Sequence, residues 1–212
     1  MALEATPVVV AGGRSRRFGT ADKLVVEVDG RPLVDRVATA ATRAVRTDPI
    51  VATRDADHEA RLAGAVRGVD PTFVHDDPDY EGPVAGLAAA LARVETPWTF
   101  VCGGDMPWLS SRAVQLLGER AERLTPAGVI PIRDGHPEPL HGIYRTADLM
   151  QVVSAACSRT SLRGVVERLS PLVTVPATHA DDSLRRSLAD VDERDDLPDG
   201  RADRHARKPT TE

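Results

Sequence analysis

The sequence predicts an α/β three-layer sandwich around a mostly parallel, mixed central sheet. Three observations predict it. Short runs rich in β-branched and aromatic residues alternate with longer segments whose apolar residues recur at helical spacing. Turn-forming residues follow several of these runs directly, as at Gly12-Gly13, Asp76-Asp77-Pro78 and Gly103-Gly104-Asp105. The length of 212 residues suits one hydrophobic core. A core of that size buries about 70% of the unfolded surface and needs no disulfide or metal staple.

Residues 6–10 (TPVVV) read as a buried strand, closed by Gly12 and Gly13. Residues 23–28 suit a short strand ended by the Asp29-Gly30 turn signal. Residues 32–45 read as a helix, with Pro32 at its start and Leu33, Val37, Ala41 and Val45 on one face. Residues 48–53 form a second strand, 57–66 a helix and 71–75 a third strand. Residues 84–94 continue as a helix behind Gly82-Pro83, and 97–102 give a fourth strand. The helix at 110–124 has Ser110 or Ser111 as its N-cap. The second half is less regular, with strands at 127–132 and 140–145 around the Asp134-Gly135 turn. Helices follow at 147–157 and 162–169, then a short strand at 172–175. From 198 to 212 the chain is polar and reads as a disordered tail, which leaves 1–197 as one domain. There is no internal repeat.

Composition excludes several classes. The formal net charge of −5 argues against a surface that grips nucleic acid. No apolar run approaches the ~18–20 residues of a membrane helix. The N-terminus lacks the basic and long apolar regions of a signal peptide. Two cysteines, Cys102 and Cys157, make no CxxC and no disulfide framework. The expectation is a cytoplasmic protein, bound to neither membrane nor nucleic acid. The basic residues are lopsided, 25 arginines against two lysines, Lys23 and Lys208, and asparagine is absent. Codon bias accounts for most of that skew. Even so, in a chain that writes arginine nearly everywhere, a lysine marks a place where arginine does not serve.

In such sheets ligands bind beyond the carboxyl ends of the strands. That rule singles out residues 11–23, 53–58, 76–86 and 103–108. In the first window, glycines after a strand let backbone N–H groups approach an anion closely. Arg14, Arg16, Arg17 and Lys23 add positive charge, which together describes a polyphosphate cradle; the alternative is a solvated basic loop. Neither the Walker A spacing nor the dinucleotide fingerprint occurs. The window from Asp76 to Gly86 gathers carboxylates able to accept from a base or ribose, or simply to form an acidic loop. In the last window, Asp105 between glycines and Pro107 suits a Mg2+ ligand, since that ion is held by one or two carboxylates plus phosphate oxygens and water. An aspartate there equally suits a helix cap.

Taken in order, these segments resemble the molybdenum cofactor guanylyltransferases (MobA-like), nucleotidyltransferases with a Rossmann-like nucleotide-diphospho-sugar transferase fold. Residues 11–23 (AGGRSRRFGTADK) are similar to that family's A-G-G-x-S-x-R-M/F-G-x-D-K signature, with one extra residue before Asp22-Lys23. Gly30-Arg31-Pro32-Leu33 is similar to its G-x-P-L, and residues 82–87 (GPVAGL) to its G-P-L-A-G-L. Residues 104–109 (GDMPWL) are similar to its C-D-M-P-F-L, and residues 135–144 to its D-G-x-x-Q-P-L-x-A-L-Y segment.

The resemblance implies transfer of GMP from GTP to molybdopterin-bound molybdenum, with Mg2+ as cofactor. By position, it implies backbone contacts to guanine and phosphate from Val10, Ala11, Gly12 and Gly13. Arg17 and Lys23 would contact the triphosphate, and Asp105 would hold the metal, these three forming the catalytic set. Asp76 would lie on the guanosine side, with Asp77 as its rival. The family often has asparagine after its second strand; here Thr53 or the backbone would substitute. The implied partners extend to molybdenum insertion proteins and apo-molybdoenzymes. Close alternatives are an adenosylcobinamide-phosphate guanylyltransferase or a molybdopterin cytidylyltransferase. A more distant one is a non-catalytic GTP-binding accessory protein.

Overall fold

The structure, a computed structural model, describes residues 3–13, 22–177 and 182–191. Its sheet is organised around β1 (Ala5–Val10), which pairs in parallel with β4 (Ile50–Thr53) on one side and β6 (Trp98–Gly103) on the other. These strands are apolar on both faces because both are covered. In β1, Ala5 and Val9 pack into one core and Val8 into the other; in β6, Phe100 and Cys102 oppose Val101 in the same way.

The first core holds β1 and β6 against α1 (Leu33–Val45), α2 (Ala56–Ala65), α4 (Ser111–Leu124) and α7 (Asp182–Ser187). The second holds them against α3 (Pro83–Leu91), α5 (Thr146–Ser154) and α6 (Leu162–Val166). Two helical layers thus enclose the sheet, as the alternating pattern predicts.

The strand order is β10-β7-β9-β6-β1-β4-β5, with β5 (Thr72–His75) at one edge and β10 (Leu172–Pro176) at the other. β7 (Gly128–Arg133) also pairs with β8 (His136–Pro137). β9 (His141–Arg145) runs antiparallel between β6 and β7, which makes the sheet mixed. From β1 the chain builds outward through β4 and β5, then crosses back to β6. The strand order therefore reverses between β1 and β6, and their carboxyl ends form the crevice where such sheets bind ligands.

The two predicted turns are present. Asp29-Gly30 joins the small hairpin of β2 (Glu27–Val28) and β3 (Arg31–Pro32), with φ of 52° and 72°. Asp134-Gly135 joins β7 to β8 with φ of 51° and 81°. Positive φ at both central residues matches the twist of the flanking strands.

Several boundaries differ from the sequence reading. Residues 23–28 are not one strand: a 3-10 turn, Lys23–Val25, precedes β2, because the Asp22 carboxylate accepts from the Leu24 amide and winds the chain there. Ser110, not Ser111, caps α4. The helices read at 84–94, 147–157 and 162–169 stop at Leu91, Ser154 and Val166. Tight bonds such as Val94 N to Leu91 O and Leu169 N to Val166 O finish these ends, so the apolar pattern runs past the regular helix. α7 has no counterpart in the reading. The polar tail at 198–212 lies outside the described residues. Among the described residues, no helix is long and apolar enough to cross a membrane.

Candidate active site

Four strand ends deliver the site. At the end of β1, the Ala11 N–H donates to Ala52 O at 2.9 Å, and Val10 O accepts from the Gly104 amide at 3.0 Å. These bonds tie β1 to the ends of β4 and β6. Of the four backbone positions expected to meet a nucleotide, Val10 and Ala11 therefore already have groups engaged within the sheet. Gly12 and Gly13 extend beyond it.

Asp76 follows β5, its own N–H held by Thr53 O at 2.8 Å. Its carboxylate lies in a space that two glycines leave open. A Cβ on Gly12 would fall 2.3 Å from Asp76 Oδ2, and one on Gly86 3.0 Å from Oδ1. Oδ1 is buried and has no hydrogen-bond partner. Burial pushes this carboxyl above its ordinary value, against the nearby charge of Arg54. A half-buried acceptor with an unused oxygen suits a ligand's N–H donors. Asp77 turns elsewhere: its Oδ1 accepts from the Asp79 amide at 2.9 Å in an exposed loop. Gly82 starts the next helix at φ 64°, a conformation that needs glycine directly before Pro83.

Thr53, expected to substitute for asparagine alongside the backbone, is fully buried, and its hydroxyl is engaged with Val74 O at 3.3 Å. The residue that faces the site is Arg54, whose guanidinium donates to Gly13 O at 2.8 Å. The window was legible as the end of β4, but no motif distinguished the buried threonine from the arginine beside it.

At the end of β6, Lys23 Nζ donates to Asp105 Oδ2 at 2.7 Å and to Val191 O at 3.0 Å. The Val191 N–H donates back to Asp105 O at 2.9 Å, so a segment more than eighty residues further along the chain braces the pair. Asp105 keeps 28% of its side chain exposed against 13% for Lys23, which leaves the carboxylate open to a ligand. Its Oδ1 lies over Gly103, where a Cβ would approach to 2.6 Å. Among the described residues, no group of three or more His, Cys, Asp and Glu side chains could hold a metal by itself. One open carboxylate beside a cation fits an ion whose remaining ligands are phosphate oxygens and water. Arg17 lies outside the described residues.

Asp22 carries Lys23 on its turn. Its Oδ2 lies 2.8 Å from the fully buried His58 Nε2 and 3.9 Å from Arg54. The His58 ring nitrogen approaches the carboxylate closely but without an aligned hydrogen bond. Burial pushes the Asp22 carboxyl up, but His58, the Leu24 amide and Arg54 outweigh it and hold the group below its ordinary value. Asp22, Arg54 and His58 fall inside the windows that the sequence singled out, but the motifs gave no role to them or to Val191.

The open backbone and the charged pair at the strand-order reversal suit a nucleotide, and comparison with known proteins gives the family. The model of the MobA-like NTP transferase domain matches residues 7–173. The chain belongs to the MobA-like NTP transferase family. A probable molybdenum cofactor guanylyltransferase from Natronomonas pharaonis is 36% identical over 196 residues, 92% of this chain and 95% of that protein. A molybdenum cofactor guanylyltransferase from Pseudomonas syringae is 31% identical over 168 residues, 78% of this chain and 80% of that one. Among solved structures, molybdopterin-guanine dinucleotide biosynthesis protein A from Archaeoglobus fulgidus superposes with a TM-score of 0.73 at 24% identity, over 91% of this chain and 94% of that one. The fold is shared more widely. The 2-C-methyl-D-erythritol 4-phosphate cytidylyltransferase from Thermus thermophilus gives a TM-score of 0.66 at 18% identity, over 93% and 96% of the two chains. As a member of the MobA-like family, the protein is a nucleotidyltransferase.

Proposed function

We propose that this nucleotidyltransferase moves GMP from GTP to the terminal phosphate of molybdopterin-bound molybdenum, giving the guanine dinucleotide cofactor and pyrophosphate. The observation that carries the proposal is the pairing of Lys23 with Asp105 at 2.7 Å, across from an Asp76 carboxylate with an unused oxygen. One end is suited to phosphates and the other to the donor edge of a base. Guanine offers that edge as an N–H and an amino group, which one carboxylate can accept together.

An ionised phosphate nucleophile needs no general base, so the residues act by positioning and charge. Gly12 and Gly13 let the nucleotide approach the backbone. Lys23 stabilises charge on the departing pyrophosphate, and Arg17 adds a second cation by family resemblance. Asp105 would hold Mg2+, which supplies charge neutralisation across the phosphates. The held lysine suits this work because its ammonium is a compact point charge, whereas a guanidinium is a broad fork. Delivery to molybdenum insertion proteins or apo-molybdoenzymes in the cytoplasm follows from the same reading.

The test is a thermal-shift panel of GTP, CTP, ATP and UTP with Mg2+, followed by assay of dinucleotide formation. Selective stabilisation by GTP is expected, with about 2.7 kcal/mol at a hundredfold excess over Kd. A preference for CTP overturns the guanylyl assignment and favours a cytidylyltransferase.

A further inference from the structure

Arg54 and His58 sit where β4 gives way to α2, and they touch both flanks of the 14–21 segment. On one flank, Arg54 donates to Gly13 O at 2.8 Å. On the other, Arg54 lies 3.9 Å and His58 2.8 Å from Asp22 Oδ2. Asp22 Oδ1 in turn accepts from Leu24 N at 3.1 Å and shapes the turn that carries Lys23 to Asp105.

The histidine is itself held from three directions. Its N–H donates to Asp55 Oδ1 at 2.8 Å, the N-cap of α2. Its Nδ1 accepts from the Arg54 N–H at 3.4 Å, which places the ring proton on Nε2, facing Asp22. The ring is fully buried. A buried imidazole set 2.8 Å from a carboxylate is a poor choice for packing alone, since an aliphatic side chain fills space without a polar atom to satisfy.

We propose that Arg54 and His58 are positioning residues for nucleotidyl transfer, stapling Gly13 to Asp22 and so setting the place of Lys23 against Asp105. The proposal rests on the nucleotidyltransferase reading but not on the identity of the base. Neither side chain is a catalytic residue. Each acts through another: His58 through Asp22 and Lys23, Arg54 through Gly13 and Asp22. His58 serves mainly turnover, because Lys23 meets the charge that develops on the leaving group.

The experiment compares the intact chain with His58→Leu, His58→Gln, Arg54→Met and, as a packing control on α2, Leu62→Val. Pyrophosphate release is followed with the acceptor and Mg2+, using whichever nucleotide the wild type consumes. His58→Leu should lower kcat by about 100-fold while KM for the nucleotide changes much less, the size expected for misplacement of a reacting group. His58→Gln, which keeps an amide N–H near the Nε2 position, should recover most of the loss. Arg54→Met should lower kcat in the same direction but less. Leu62→Val should lower Tm and leave kcat near wild type. Should His58→Leu fail to fold, the glutamine variant decides: turnover near wild type supports the staple, and a loss as large as that expected for leucine overturns it. Equal losses of kcat in Leu62→Val and His58→Leu also overturn it, because packing then explains both. A wild type that uses another nucleotide sinks the guanylyl assignment alone, and the staple is still read on that nucleotide.

Discussion

The ends of β5 and β6 each present one aspartate to the same crevice, and the two are held in opposite ways. Asp105 is paired with a lysine and braced through its own carbonyl by Val191. Asp76 is wedged between glycines with one oxygen unpartnered. The first arrangement sets a carboxylate beside a lysine and leaves it open, which suits a cation among phosphates. The second keeps an acceptor short of donors, which suits a base. The same side chain is thus suited to two chemistries because its neighbours differ, and on the proposed function each end should fail in its own kinetic parameter.

The largest effect is expected at the β6 end. Asp105→Ala should lower kcat by roughly 1000-fold with the fold intact, a loss of the size seen when developing charge is left unsupported. Lys23→Arg should lose most activity although the charge is kept, because the site holds a compact ammonium between Asp105 and Val191 O. Pyrophosphate release by both variants checks this; near-normal turnover in Lys23→Arg would show that a point charge is not required.

Gly12→Ala tests the β5 end. The added Cβ would fall 2.3 Å from Asp76 Oδ2 and must displace that carboxylate. If Asp76 accepts from the base as proposed, losing that bond should raise KM for the nucleotide roughly 10–100-fold, with kcat largely retained. Initial rates across nucleotide concentration separate the two. A fall in kcat with unchanged KM would erase the contrast between the ends.

The smallest effect lies away from the chemistry, where the C-terminal segment docks. His141 is fully buried against Phe100, with Nε2 3.2 Å from Ser187 Oγ on α7. Burial pushes its pKa down to about 3. The unfolded state, titrating near its ordinary value, then binds the extra proton between about pH 6.5 and 3. Stability from this group is complete above that range and is lost as pH falls through it. The wild type should lose about 1.4 kcal/mol more per pH unit than His141→Phe between pH 6 and 4. Denaturant titrations at each pH check the slope, and parallel curves would remove His141 from the account.

Much of the site was legible because its parts are local. A glycine pair after a strand, the Asp105-Met106-Pro107 turn, and one lysine in a loop of arginines are short patterns with direct chemical meaning. Thr53 shows the limit of that approach. Its position at a strand end was right, but strand alternation turned its side chain into the sheet and presented Arg54 instead. The helix ends were misplaced for a similar reason, since apolar periodicity records burial and the last turns stay buried after regular helix has ended.

The sequence by itself determined the layers, the turn positions and the residues that carry charge to the strand ends. Periodicity and turn chemistry act over a few residues and need no knowledge of the rest. Only the tertiary structure decided which distant groups complete those residues. Val191 meets Lys23, His58 meets Asp22, and Gly12 and Gly86 make room for Asp76. Such contacts join segments that are far apart in the chain and neighbours only in the folded sheet, which no local pattern encodes.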